Sequence, residues 1–168
     1  MTGLGIIAAG CGGGSGGGSG GSGGGAAATT GTATVNVRQI DGVGSVLVDS
    51  HGTALYSPTQ EASGMIRCSG SCTKIWIPLT PGGAKPTAGT GVTGKLARTM
   101  RPDGTSQVTY DGRPLYTFVE DSAPGKVTGN GVRDSFGTKR FTWHAVTAKG
   151  AAPAASSTPA KKSGSYTY

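Results

Sequence analysis

The chain has 168 residues, 33 of them glycine, with 6% aromatic and 14% charged residues and a formal net charge of +7. Both ends are too poor in large apolar side chains to offset the entropy of ordering them, so one domain is expected, in the stretch from about Thr34 to Thr147. Three of the positive charges, Lys149, Lys161 and Lys162, lie in the tail and leave +4 for the rest; the remaining Lys and Arg are scattered, which argues against a specific nucleic-acid partner.

At the N-terminus, Leu4 to Gly10 form an apolar run too short to span a bilayer, ending in small residues before Cys11. Small residues ahead of a cleavage point suit an export peptidase, which must accommodate an extended backbone with little side-chain bulk. The segment Ala8–Cys11, AAGC, resembles the bacterial lipobox, which implies diacylglycerol attached to Cys11 and a membrane partner reached through that lipid. It departs from the pattern in having Ala8 where leucine is commoner and no Lys or Arg before the apolar run. An ordinary secreted protein is the alternative. Residues 1–11 are thus read as an export segment and 12–33 as a tether, since Gly12 to Gly25 read GGGSGGGSGGSGGG. Such a chain has no side chains to pack and spans about 20 Å on average as a flexible coil.

From Ser45 onward apolar and polar residues alternate between Gly and Asp turns, the pattern of strands. Val46 to Asp49 is expected to pair back onto Ala54 to Ser57 through a turn at His51 and Gly52. Val108 to Tyr110 is expected to pair onto Leu115 to Phe118 through Asp111 and Gly112, a strong hairpin signal. Laid on each other at one offset, the segments match Val48 with Val108, Gly52 with Gly112, Leu55 with Leu115, Tyr56 with Tyr116 and Glu61 with Asp121. Each copy is followed by a tryptophan in an apolar stretch, Trp76 and Trp143, read as core anchors. The expected fold is mainly β: one small domain over residues 34–148, built of two related antiparallel hairpin repeats (about 45–79 and 105–146) packed together, with long loops and disordered termini. One such loop is placed at Ser122 to Arg140, and residues 149–168 are read as a disordered Ala/Pro/Lys tail.

Residues 45–146 resemble the secreted repeat family of predicted bacterial lipoproteins with a conserved YxFxxD-type motif. The second copy carries the motif at Tyr116, Phe118 and Asp121, whereas the first keeps Tyr56 but has Pro58 for the aromatic and Glu61 for the aspartate. CSGSCTKIWIPL is similar to the family's CxGxCxxxWPPL at Cys68, Gly70, Cys72, Trp76, Pro78 and Leu79. The resemblance implies an envelope location and this architecture, with no established activity.

Cys68 and Cys72 are expected to form a structural disulfide, because an exported protein meets a non-reducing exterior and the spacing is not that of a redox dithiol. His51, His144, Met65 and Met100 are weak candidates for a metal such as copper, but nothing in the sequence brings them together. Tyr116 and Phe118 should share a buried strand face, and Asp121 should accept backbone hydrogen bonds in a turn. No nucleophile elbow, Walker loop or zinc-protease helix is present, so no catalytic residue and no cofactor are assigned. The expectation is a non-enzymatic envelope lipoprotein, anchored outside the membrane or secreted, that binds or scaffolds an anionic cell-wall polymer or an envelope protein. Extracytoplasmic copper handling or electron transfer is the alternative.

Overall fold

The stretch with strand-forming segments lies within residues 34–148, which with 166–167 are the residues described by a computed structural model of the chain. The readings of residues 1–33, Cys11 included, and of nearly all of the tail fall outside them. The strands are β1 (Val35–Ile40), β2 (Gly44–Asp49), β3 (Tyr56–Pro58), β4 (Trp76–Pro78), β5 (Leu96–Met100) and β6 (Ser106–Tyr110). They continue with β7 (Arg113–Pro114), β8 (Tyr116–Phe118), β9 (Arg133–Phe136), β10 (Lys139–Ala145) and β11 (Tyr166–Thr167). A 3-10 turn at Thr59–Glu61 and a single α turn, α1 (Cys72–Ile75), complete the fold. Among the described residues three sheets form: β1-β2, β5-β6-β7, and the six-stranded β11-β9-β10-β3-β8-β4. All pairings within them are antiparallel except β11 with β9.

Both expected turns form, with different lengths. Asp111 and Gly112 have φ of 47° and 79°, the two positive values that a two-residue type I′ turn requires. In the first copy the Asp49 N–H bonds to the Thr53 carbonyl at 2.9 Å, enclosing three residues, with Gly52 at φ 85°. That extra residue moves the register by one. Leu55 N–H donates to Leu47 O at 2.9 Å as Leu115 N–H donates to Val108 O at 3.0 Å. The counterpart of Val108 is therefore Leu47, not Val48, which corrects the constant offset read from the sequence.

The hairpins are also shorter than expected, because each second arm leaves its own repeat. Only Thr53 to Leu55 pair back onto β2, and only Arg113 to Leu115 onto β6. Beyond these points β3 and β8 lie side by side, with Tyr56 opposite Tyr116, the same repeat position in both copies. A residue that pairs with its own counterpart marks a local pseudo-two-fold axis between the strands. Around it the tryptophan strands are exchanged. β4 of the first copy pairs with β8 of the second, Trp76 opposite Phe118, and β10 of the second pairs with β3 of the first, Trp143 opposite Pro58.

The expected long loop from Ser122 to Arg140 is corrected as well, since β9 and the start of β10 make a hairpin within it, turning at Gly137 with φ 62°. Two apolar clusters draw on both repeats: one gathers Tyr56, Trp76, Tyr116, Phe118, Phe141 and Trp143, the other Val35, Leu47, Leu55, Val108, Tyr110 and Leu115. Neither hairpin could cover its apolar face alone.

Candidate functional site

The motif residues meet at the pseudo-two-fold axis. Trp76 and Trp143 stack with ring centroids 3.9 Å apart and planes 7° from parallel, and both are fully buried. Tyr56 packs edge-on against Trp76 at 5.4 Å, and Tyr116 against Trp143 at 5.1 Å, so each ring pair stays within its own repeat. Phe118 stacks on the other side of Trp76 at 4.3 Å. Buried indole N–H groups need acceptors. Asp134 supplies both, taking Trp76 Nε1–H on Oδ2 at 2.6 Å and Trp143 Nε1–H on Oδ1 at 3.0 Å. Burial raises the Asp134 carboxyl above the usual carboxylate range, and the two indole bonds offset only part of that rise.

The tyrosine hydroxyls cross between repeats. Tyr56 Oη donates to Asp121 Oδ2 at 2.6 Å, while Tyr116 Oη donates to Glu61 Oε2 at 2.7 Å. Each motif acid thus serves the tyrosine of the other copy, and Glu61 fills the place of the motif aspartate. Its second oxygen accepts the N–H of Arg67 and of Cys68, both at 2.6 Å. Asp121 takes Thr128 N–H at 2.9 Å and Thr128 Oγ1–H at 2.6 Å, so it closes the 121–128 loop as well as locking the core. Both hydroxyls ionise far above the usual tyrosine range, chiefly through burial and then through the facing carboxylate.

Cys68 and Cys72 are joined in a disulfide with Cα atoms 5.4 Å apart, buried beside this core. Its backbone is gripped by Arg101, itself 3% exposed, whose Nη2 donates to Cys68 O at 2.7 Å and whose Nη1 donates to Gln107 Oε1 and lies 3.4 Å from Tyr116 Oη. The guanidinium carbon sits 5.9 Å from the Tyr116 ring centroid. Neither Arg101 nor Asp134 stood out in the sequence. A demand for acceptors for two buried indoles was the available signal for Asp134.

The metal candidates occupy four separate elements: His51 the β2–β3 turn, His144 β10, Met65 the segment after the 3-10 turn, and Met100 the end of β5. Met65 and Met100 are 68% and 66% exposed, and His51 Nδ1 lies 3.7 Å from Asp49 Oδ2 at the surface. Among the described residues no group of three or more His, Cys, Asp or Glu side chains is arranged to hold a metal.

His144 faces a different feature, a cleft of about 190 Å³ on the side of the sheet away from the stacked indoles. Ser57, Thr59, Arg113 and His144 bring polar groups to it, and Ala62 and Val146 are part of its apolar wall. Ser57 and His144 are cross-strand partners on β3 and β10, so alternation places them together on the face opposite Tyr56 and Trp143. Burial lowers the His144 pKa, and Arg113 and then Arg133 lower it further by repelling a second positive charge.

Residues 97–147, which hold most of the second repeat, match the model of a family described as a secreted repeat of unknown function. The segment contains Tyr116, Phe118 and Asp121, on which the resemblance was read. No curated protein and no solved structure matches the chain. The family description indicates an extracytoplasmic location, and among the described residues no helix is long and apolar enough to cross a membrane.

Proposed function

We propose, starting from the second repeat's match to a secreted repeat family, that the chain is a non-enzymatic binding module working outside the membrane. In this reading Cys11 carries a lipid and residues 12–33 hold the domain away from the bilayer. The observation that carries it is how the motif acids are used. Glu61 and Asp121, and with them Asp134 of β9, are each engaged by donors inside the fold, so the motif supplies architecture and recognition falls to the surface around it. The basic balance of the chain suits anionic cell-wall polymers or an acidic envelope protein as partners. Copper handling is less well supported, because the two cysteines that would be its soft ligands are bonded to each other.

Presenting the purified chain to arrays of wall polymers, envelope proteins and small metabolites tests this proposal. Saturable binding without chemical conversion is the expected result, and sustained turnover of any compound refutes it. An intact mass of membrane-extracted protein reports both acylation at Cys11 and the two hydrogens lost at the cysteine pair. An unacylated mass from the native membrane removes the anchor from the proposal.

A further inference from the structure

The repeat symmetry that orders the core is broken on the outer face of the sheet. At the position related to the His144–Ser57 pair, the other copy sets Ile77 opposite Thr117. Backbone pairing is the same at the two places, so the chemistry of the His144 side is not imposed by the fold. There, Ser57 is 94% buried and its hydroxyl has no hydrogen-bond partner within the protein. An unpaired buried hydroxyl is costly and uncommon in native structures. It lines the same cleft as Arg113 and His144, and none of the residues lining that cleft is acidic. A hydroxyl donor, a guanidinium fork and an imidazole beside an apolar wall match a flat anion attached to a short apolar group.

We infer that the cleft between β3, β7 and β10 binds a small carboxylate bearing a short apolar substituent. The anion takes the Ser57 O–H and the Arg113 fork, His144 adds a further donor once protonated, and Ala62 and Val146 cover the substituent. A volume of about 190 Å³ admits a compact acid or the last residue of a peptide, and not a polymer chain. The inference rests on the binding-module reading only in assigning that module one site.

The chain contains two histidines, which makes imidazole NMR of the full chain a direct test. His144 lies in the cleft and reports on it, while exposed His51 serves as the internal reference. Sodium propionate and N-acetylalanine, added separately against a sodium chloride control of equal ionic strength, should shift the His144 resonances and raise its titration midpoint. A bound anion offsets the repulsion from Arg113 on β7 and Arg133 on β9. His51 should stay in place, and uncharged N-acetylalaninamide should move neither ring. Ser57→Ala and Arg113→Gln should each weaken the response about tenfold or more. Ser57→Ala should leave thermal stability unchanged or higher, which separates lost binding from lost folding. A stronger response to N-acetylalanine than to propionate assigns the site to a peptide C-terminus, and the reverse assigns it to a free acid. Inorganic phosphate shifting His144 where the carboxylates do not overturns the inference, as does a His144 that ignores every anion. In that last case the module reading still stands if the polymer and protein arrays show binding, and falls only if they too are blank.

Discussion

Replacing Tyr56 by Phe probes the exchange of acids between repeats at one atom, since the ring and its contact with Trp76 remain. The substitution removes a 2.6 Å bond to Asp121 and the 3.3 Å acceptor of the Gly129 N–H. A charge-assisted hydrogen bond contributes about 1.5–3 kcal/mol, and a donor stripped of its partner adds to the loss. Asp121 keeps both bonds from Thr128, so the carboxylate is not left bare and the total should be about 2–3 kcal/mol. For a domain of this size, that corresponds to a fall in Tm of roughly 8–12 °C. Urea unfolding followed by tryptophan fluorescence is a suitable assay, because both tryptophans of the chain sit in the stack beside Tyr56. The midpoint should fall with the m value unchanged, and Tyr116→Phe, which cuts the reciprocal bond to Glu61, should act similarly. A loss below about 0.5 kcal/mol for Tyr56→Phe, within the range of ordinary surface substitutions, would refute the cross-repeat lock.

The same hydroxyls set an alkaline limit. Their native pKa values are raised, so the folded state keeps protons that the unfolded chain releases; stability is fully present below about pH 10 and falls as pH rises beyond it. Urea midpoints measured across that range should show this slope, and Tyr56→Phe should reduce it. Asp134→Ala leaves two buried indole N–H groups without acceptors and should cost about 2–5 kcal/mol, read by thermal unfolding, with near-ultraviolet dichroism reporting loss of the stacked pair. Replacing both Cys68 and Cys72 by Ser should cost about 2 kcal/mol on the chain-entropy estimate for so short a loop. A cost near zero would mean that the Glu61 and Arg101 contacts already hold this segment. Gly129→Ala should also destabilise, since a Cβ there would approach the Trp76 ring to 2.8 Å; calorimetry of the variant checks it.

How much was legible beforehand depended on the range of each signal. Asp111–Gly112 announces its turn because two adjacent positive φ values demand those residue types, and that turn forms as read although the arm beyond Leu115 leaves the hairpin. Alternation likewise places Tyr116 and Phe118 inside. It cannot say which strand lies alongside, and the exchange of β4 and β10 between copies is written only in three-dimensional pairing. The one-residue slip at Val48 escaped because a three-residue turn and a two-residue turn both end in glycine, so matching Gly52 with Gly112 hides the added residue. β9 was missed because glycines on both sides gave Arg133–Phe136 the look of a loop, and Asp134 was missed with it. The cleft was invisible for a similar reason. Ser57 and His144 are 87 positions apart, and neither belongs to the motif.

The reciprocal bonding of Tyr56 to Asp121 and of Tyr116 to Glu61 has a consequence for how such chains are assembled. One copy by itself would hold a hydroxyl and a carboxylate that cannot reach each other in the required geometry, leaving two groups stranded in an apolar interior. Copies built this way must come in even numbers, within one polypeptide or by association of two. A chain cut back to its first copy should therefore fold only by pairing with another copy, and its stability should depend on its concentration.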